Sequence, residues 1–192
     1  AFLNLKSLFH PIFQVVDQDS FDKGVFARVG WETGPLELHA GATARFGTVD
    51  SEPHVNVDGK RGALTLKADQ NARTIDVYSE GRYRAGPFTL VAGAIYTNGM
   101  RRQDQSFPTA TIGNASFDQL SPRFGLILEP SAGLEFYANY SRSHELPGFI
   151  ELAQVASFIP LEAQHAWTAE IGARGKLGPA RFDISLYRAN VR

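Results

Sequence analysis

The stretch LELHAGATARF, residues 36–46, alternates apolar and polar side chains almost without interruption. Successive side chains of an extended strand point to opposite faces, so a period of two separates two sets of residues. One face receives the apolar set: Leu36, Leu38, Ala40, Ala42, Ala44 and Phe46. The other face receives the polar set: Glu37, His39, Thr43 and Arg45. The stretch therefore predicts a β-strand with one apolar and one charged face.

The same period recurs along the chain. It is found in VFARVGWE (25–32), TIDVYSEGRY (74–83), FTLVAGAIY (88–96), LSPRFGLILE (120–129), LEFYANY (134–140), WTAEIGARGK (167–176) and RFDISLY (181–187). Together these segments predict about eight strands of roughly 9–11 residues, which is the length that a tilted membrane strand needs. Trp31, Phe88, Tyr96 and Trp167 lie at ends of the apolar face, where an interfacial aromatic girdle would lie.

The links between the strands alternate in length. Four are short, at 33–35, 85–87, 129–133 and 176–179, and contain Gly and Pro, which supply turn geometry. Three are long, at about 47–72, 99–119 and 144–164. Short turns at one rim and long loops at the other are typical of outer-membrane barrels.

Composition excludes several classes of protein. The 192 residues have a net charge of −1, which gives no concentrated basic field for a nucleic acid. Without cysteine there is neither a disulfide nor a thiolate zinc site. No apolar run approaches the roughly 18 residues of a membrane helix, but strands that are half apolar need none.

We therefore predict an all-β fold, an antiparallel up-and-down meander of about eight strands that forms part of a transmembrane β-barrel. Period-two geometry predicts one shared apolar face: Leu38, Ala40, Phe88, Leu90, Phe124, Leu126, Leu134, Phe136, Ile184 and Leu186. The opposite face, turned to a wet lumen, should carry Arg45, Arg82, Arg123, Glu170 and Asp183. A soluble β-sandwich with a solvated outer face is the alternative.

Each candidate motif for catalysis or metal binding lacks a residue that the motif requires. His144-Glu145 begins the zincin pattern H-E-x-x-H, but Gly148 occupies the position of the second His and Pro147 would break the helix. His54, near Asp50 and Glu52, has no partner at a spacing typical of a metal site. We expect neither an enzyme nor a resident metal or cofactor.

Two segments resemble a known family. LSPRFGLILEPSAGLEFYANYSRSHELPGFIEL (120–152) and AEIGARGKLGPARFDISLYRANVR (169–192) look like consecutive barrel hairpins of TonB-dependent outer-membrane receptors, the siderophore and iron uptake type. ALTLKADQNARTIDVYSEGRY (63–83) resembles an earlier loop-to-strand passage of the same family. The sequence departs from the family at His144 and Leu146, and AGAIYTNG lacks the usual Arg before its Tyr.

The resemblance implies an outer-membrane receptor for energy-coupled uptake of a ferric siderophore or similar scarce nutrient. It implies a bacterial outer-membrane location, lipid around the barrel, an extracellular ferric chelate as ligand, and an inner-membrane energy-coupling complex that acts through a plug. We expect residues 1–192 to be a partial β-barrel domain, with the plug and the N-terminal and C-terminal barrel strands absent. A complete small eight-stranded barrel with a structural or adhesive role, and a soluble β-sandwich binding module, remain alternatives.

In such a receptor the ligand would contact loops and the upper lumen. Arg101 and Arg102 are the first candidates, because an anionic chelate favours the guanidinium fork. Tyr140 and Arg142 at the rim come next, with His144 and Glu145 beyond them. Finally, we expect the strands near 23–32 and 180–190 not to pair, because a slice of a larger barrel keeps the curvature of the whole.

Overall fold

A computed structural model describes residues 1–152 and 158–192. The strands are β1 (Phe2–Pro11), β2 (Gln14–Thr33), β3 (Leu36–Ser51), β4 (His54–Val57), β5 (Lys60–Leu64), β6 (Lys67–Ala85), β7 (Phe88–Phe107), β8 (Thr111–Ser131), β9 (Leu134–Glu145), β10 (Gln164–Leu177) and β11 (Ala180–Val191). One short helix, α1, spans Phe149–Leu152. The predicted all-β class is confirmed.

The strands form one curled antiparallel sheet in the order β1-β2-β3-β6-β7-β8-β9-β10-β11. These nine strands make the wall, one more than the eight counted from the sequence. The additional strand, β1, pairs with β2 along its whole length. Strands β4 and β5, which lie between β3 and β6 in the sequence, form a small hairpin. In the sheet, β4 pairs with the start of β2 through Gln14↔Val55 and Val15↔His54. The up-and-down meander is confirmed.

All four predicted short turns lie at the same end of the sheet, which we call the turn rim. Three of them are Gly-Pro pairs, in which Gly34, Gly86 and Gly178 have φ of 54°, 60° and 60°. Glycine adopts this left-handed conformation without a steric cost, and the proline ring then fixes the next φ. The sharp reversal keeps adjacent strands in register.

The opposite end, the loop rim, differs from the prediction. The long loop predicted at 99–119 is mostly strand, because β7 continues to Phe107 and β8 begins at Thr111. Much of the 47–72 loop is also strand, since β3 runs to Ser51 and β6 starts at Lys67. The two-residue link 12–13 lies at this rim too, so short and long links are mixed there.

Strand length was underestimated for the same reason. The wall strands have 10–21 residues, not 9–11, because several continue beyond the membrane-spanning part. The third predicted loop, 144–164, is reproduced: β9 ends at Glu145 and β10 begins at Gln164. Residues 153–157 of that loop lie outside the described residues.

The two faces of the wall follow the predicted alternation. Continuous cross-strand pairs such as Leu38↔Gly81, Ala92↔Phe124 and Ala173↔Phe136 carry one parity from strand to strand. All ten residues predicted for the apolar face share it, and the five predicted charged residues lie on the other. The apolar face is open: Trp31 is 56% exposed and Leu186 71%.

The polar face is tied together by cross-strand ion pairs. Arg45 bonds Asp76 at 2.9 Å, Arg174 bonds Glu135 at 2.7 Å, and Glu80 pairs with Arg123 of β8 as well as with Arg82 of its own strand. Two tyrosines lie flat on this face over glycines of the neighbouring strand. Tyr78 covers Gly41, where an added Cβ would stand 2.5 Å from the ring, and Tyr137 covers Gly172.

Four aspartates stand opposite one another across the strand extensions near the loop rim. The pairs are Asp19↔Asp50, Asp50↔Asp69 and Asp69↔Asp104, and they run across β2, β3, β6 and β7. By parity, this aspartate row lies on the same face as the apolar residues below it. Of the four, Asp104 has an ion-pair partner within the described residues, Arg102 at 2.8 Å.

The sheet does not close on itself. Among residues 1–152 and 158–192, β11 pairs with β10 alone, and no ladder joins it to β1 or β2. The predicted separation of the strands near 23–32 and 180–190 is therefore confirmed. A closed eight-stranded barrel is incompatible with this topology, and the uncovered apolar face argues equally against a soluble sandwich.

Candidate functional site

A cavity of about 500 Å³ opens on the polar face toward the loop rim. Strands β1, β2, β3, β6 and β7 contribute to it, together with the end of β9. Its polar-face lining is Phe2, Asn4, Asp22, Arg45, Gly47, Ala72, Thr74, Asp76, Thr97, Arg101, His144 and Leu146. The cavity thus combines charged groups, hydroxyls and a few apolar side chains.

A fixed network forms one side of the cavity. The Asp76 carboxylate accepts a hydrogen bond from Arg45 Nη2 at 2.9 Å and another from Thr97 Oγ1 at 2.6 Å. Charge-assisted bonds of this kind are stronger than neutral ones. Arg45 and Asp76 therefore neutralise each other and hold the wall of the cavity in place.

Arg101 occupies a different electrostatic position. Its Nη1 donates to the carbonyl oxygens of Met100 and Arg73, at 2.9 and 3.2 Å, and to Thr74 Oγ1 at 3.3 Å. It has no carboxylate partner within the described residues. Burial, and to a lesser degree the nearby Arg45, lowers the pKa of its guanidinium, which still remains charged at neutral pH. The cavity thus contains a half-buried, uncompensated cation.

His144 approaches the cavity from β9. Its Nδ1 lies 2.6 Å from Ser121 Oγ. Burial lowers the pKa of this histidine below the ordinary 6.5, with Asp76 acting in the opposite direction and Arg142 in the same one. The imidazole is therefore neutral at pH 7 and keeps one ring nitrogen for a further partner.

The structure brings together two of the six predicted site residues, Arg101 and His144. Arg102, the neighbour of Arg101, lies on the apolar side of β7 and makes a bidentate ion pair with Asp104. Tyr140 lies on the apolar face and stacks on Trp167 with ring centroids 5.0 Å apart.

The last two candidates lie near the end of β9. The Arg142 guanidinium donates to Leu120 O at 2.9 Å and to Gln119 Oε1 at 3.1 Å, just beyond the last β8–β9 pair, Arg123↔Ser141. Glu145 is exposed at the end of β9, where it pairs with Gln164. Neither residue lines the cavity.

Sequence reasoning missed part of the site. Arg45 was recognised as a charge of the polar face, but its pairing with Asp76 was not, because their register is a property of the β3–β6 ladder. Asn4 was missed with the whole of β1, and Thr97 carries no signal as a single residue. Extending the alternation of residues 88–96 by one residue would have placed Thr97 on the polar face, and this is the one sequence signal for it.

Part of the 144–164 loop packs inward against the β7–β8 extension. Leu146 touches Gly99, Phe158 covers Gly113, and Leu152 of α1 is fully buried. The facing strand positions are small, since a Cβ at either glycine would collide with the loop side chain. Leu146 thereby becomes part of the cavity lining.

Within the described part of the chain, no helix is long and apolar enough to span a membrane. Nor do three or more His, Asp or Glu side chains in those residues gather in an arrangement suited to a metal ion.

The chain belongs to the TonB-dependent receptor-like β-barrel family, whose model matches residues 7–192. The family is one of receptors and transporters, and its barrels are bacterial outer-membrane proteins. The predicted family and location are thereby confirmed. The apolar face is the lipid-facing surface of the wall, and the polar face lines the lumen. No curated protein matches the chain.

Solved structures show the same fold at low sequence identity. The ferric citrate transporter FecA in its unliganded form aligns with 98% of this chain and 30% of its own, at 15% identity and a TM-score of 0.76. The copper transporter OprC aligns with 93% of this chain and 31% of its own, at 12% identity and 0.76. The ferric yersiniabactin uptake receptor FyuA from Yersinia pestis aligns with 94% and 30%, at 12% identity and 0.68. The chain therefore spans about 30% of the length of these structures.

Proposed function

We propose that this chain is a wall segment of an outer-membrane receptor that takes up an anionic ferric chelate, such as a siderophore complex, or a similar scarce nutrient. Arg101 carries the proposal. A half-buried arginine with no carboxylate partner in the described residues is costly unless an anion visits it. An anionic chelate in the lumen cavity would supply that charge.

The surroundings of Arg101 suit a reversible ligand. Only Nη1 of the guanidinium donates to protein acceptors in the described residues, so the other nitrogens can donate to carboxylate, catecholate or hydroxamate oxygens. The neutral imidazole of His144 adds a second polar contact. The position near the loop rim matches entry from the extracellular side.

Energy coupling belongs to the same proposal. Transport would require a plug within the complete receptor and an inner-membrane complex acting on it. The ion pairs of the polar face lower in the lumen, such as Arg174–Glu135, would form the wall around the plug.

Adjacent arginines on opposite faces give a matched test. In the full-length receptor, Arg101→Gln should weaken binding of the recognised member of a ferric citrate, catecholate and hydroxamate panel by about 10- to 100-fold, the value of a charge-assisted bond. Arg102→Gln removes an equal charge from the other face and should leave binding unchanged. Titration calorimetry and uptake of radioactive iron are the measurements. Equal effects of the two substitutions, or none from Arg101→Gln, would overturn the assignment of this cavity.

A further inference from the structure

A strip of cations crosses the lipid-facing side of the wall just above its apolar band. Lys23, Phe46 and Arg73 are paired in sequence across β2, β3 and β6, as Lys23↔Phe46 and Phe46↔Arg73. Arg102 of β7 lies one step higher, opposite Asn71. We call Lys23, Phe46, Arg73 and Arg102 the basic strip.

Register places the strip on the lipid side. The next residues toward the turn rim on that face are Val25, Ala44 and Ile75, the upper edge of the apolar band. Lys23 and Phe46 also border the lumen cavity, but the alternation of the strands assigns their side chains to the outer face. The Lys23 side chain shares the outer face with Phe21, whose ring centroid lies 5.9 Å from Lys23 Nζ.

Arg73 is held in place by a polar network at the membrane boundary. Its Nη2 donates to Asn98 Oδ1 at 2.8 Å, and Asn98 Nδ2 donates to Asp118 Oδ1 at 2.9 Å. Tyr96, the last aromatic residue of the band on β7, donates its hydroxyl to the same carboxylate oxygen at 2.5 Å. The guanidinium is thereby oriented before any ligand arrives.

The spacing of the cations fits anionic headgroups. Lys23 and Arg73 are separated by two strand intervals, about 10 Å. Phe46 stands between them, 41% exposed, where it can contact acyl or sugar carbons. The aspartate row lies four residues beyond Lys23, Phe46 and Arg73 along their strands and two residues beyond Arg102, and its charge would repel a phosphate that rose toward it. The strip therefore defines a level at which an anion is favoured.

We propose that Lys23 and Arg73 of the basic strip bind the phosphate groups of a lipid of the outer leaflet, with the acyl chains lying against the apolar band beneath; the charge of Arg102 is already balanced by Asp104. Each Lys or Arg at a membrane surface strengthens attraction to anionic lipid about fivefold. Such a site would fix the depth and rotation of the wall in the membrane. It is separate from the lumen cavity, because the two lie on opposite faces of the sheet.

The test uses the full-length receptor in nanodiscs of phosphatidylcholine. Bisphosphorylated lipid A is titrated in, and retained lipid is counted by native mass spectrometry. Lys23→Gln and Arg73→Gln should each lower lipid affinity about fivefold. Lys60→Gln, at the tip of the β4–β5 hairpin, removes the same charge elsewhere and should have no effect. Heat-dependent migration on gels checks that every variant is folded.

Two further arms identify the chemistry. Lys23→Arg should preserve affinity. Lipid A stripped of its phosphates should bind no better to the parent protein than to the Arg73→Gln variant. Equal retention of the phosphate-free lipid by the parent protein would overturn the proposal. So would wild-type retention in both glutamine variants, or a loss of the same size in Lys60→Gln.

Discussion

Asp50 has a like charge on each side, Asp19 on β2 and Asp69 on β6. Directly opposed carboxylates on one face of a sheet repel each other. The row persists because the strands are held by continuous backbone ladders and because Arg102 neutralises Asp104 at one end. At the scale of single residues, the extension of the wall beyond the membrane is therefore destabilised by repulsion between neighbouring carboxylates.

Asp50→Asn should relieve that repulsion. We expect the substitution to raise the free energy of unfolding by about 0.5–1 kcal/mol at low ionic strength, since it removes two repulsive neighbours. The gain should shrink in 0.5 M salt, where the Debye length is roughly 4–5 Å. Thermal denaturation of the receptor in nonionic detergent measures it. Glu129→Gln, an equal charge change outside the row, serves as control, and an equal gain there would contradict the explanation.

Among the elements, α1 and the residues around it depend on one buried side chain. Leu152 is fully buried, whereas Ile150 on the same short helix is 87% exposed. The helix has a single turn, which is too short to be stable by itself. Its position must therefore come from the tertiary packing that buries Leu152.

Leu152→Ala should release this segment while the wall stays intact. Removal of a fully buried leucine costs about 2–5 kcal/mol, so amide hydrogen exchange in 146–152 should accelerate by more than about 30-fold. Ile150→Ala should leave exchange near the parent rate. Hydrogen exchange with mass spectrometry reports both variants. Unchanged protection in Leu152→Ala would show that other contacts anchor the segment.

At the scale of the whole molecule, the sheet has lipid on one side and the lumen on the other. The lipid-facing side presents apolar residues throughout the membrane-spanning part of each strand, and the lumen side presents ion pairs. Ala92, in the middle of the 88–96 span of β7, faces lipid, and its neighbour Val91 faces the lumen.

Ala92→Arg should therefore destabilise the folded receptor by about 2–4 kcal/mol, the cost of an arginine at the bilayer midplane. Val91→Arg places the same charge in a wet lumen and should cost less than half as much. Urea titration in lipid vesicles compares them. The opposite order of stabilities would mean that the two faces are assigned the wrong way round.

The sequence predicted strands and their faces correctly where one face of the strand contacts lipid. Residues 36–46 and 88–96 have lipid on one side and water on the other, so their period of two is strict and their strands and faces were predicted. Residues 99–107 lie beyond the apolar band and lose the alternation, so the sequence predicts a loop there, although they continue β7.

The site was predicted in part for the same reason. Arg101 and Arg102 are both arginines, and the predicted loop gave no reason to separate them. They lie on opposite faces because β7 continues past residue 96 as a strand. Extending the period of 88–96 to residue 102 would have separated them. The Arg45–Asp76 pair forms because β3 and β6 are neighbours in the sheet. A local sequence pattern does not predict which strands are neighbours.

The two tyrosines that rest on glycines shape the lumen side of this wall. Tyr78 and Tyr137 lie along the inner surface because Gly41 and Gly172 leave a shallow depression beneath each ring. A methyl group at either glycine would collide with the ring and push it away from the wall. The relief of the lumen surface at these two points thus depends on the absence of two side chains, which lets large rings lie low on the wall.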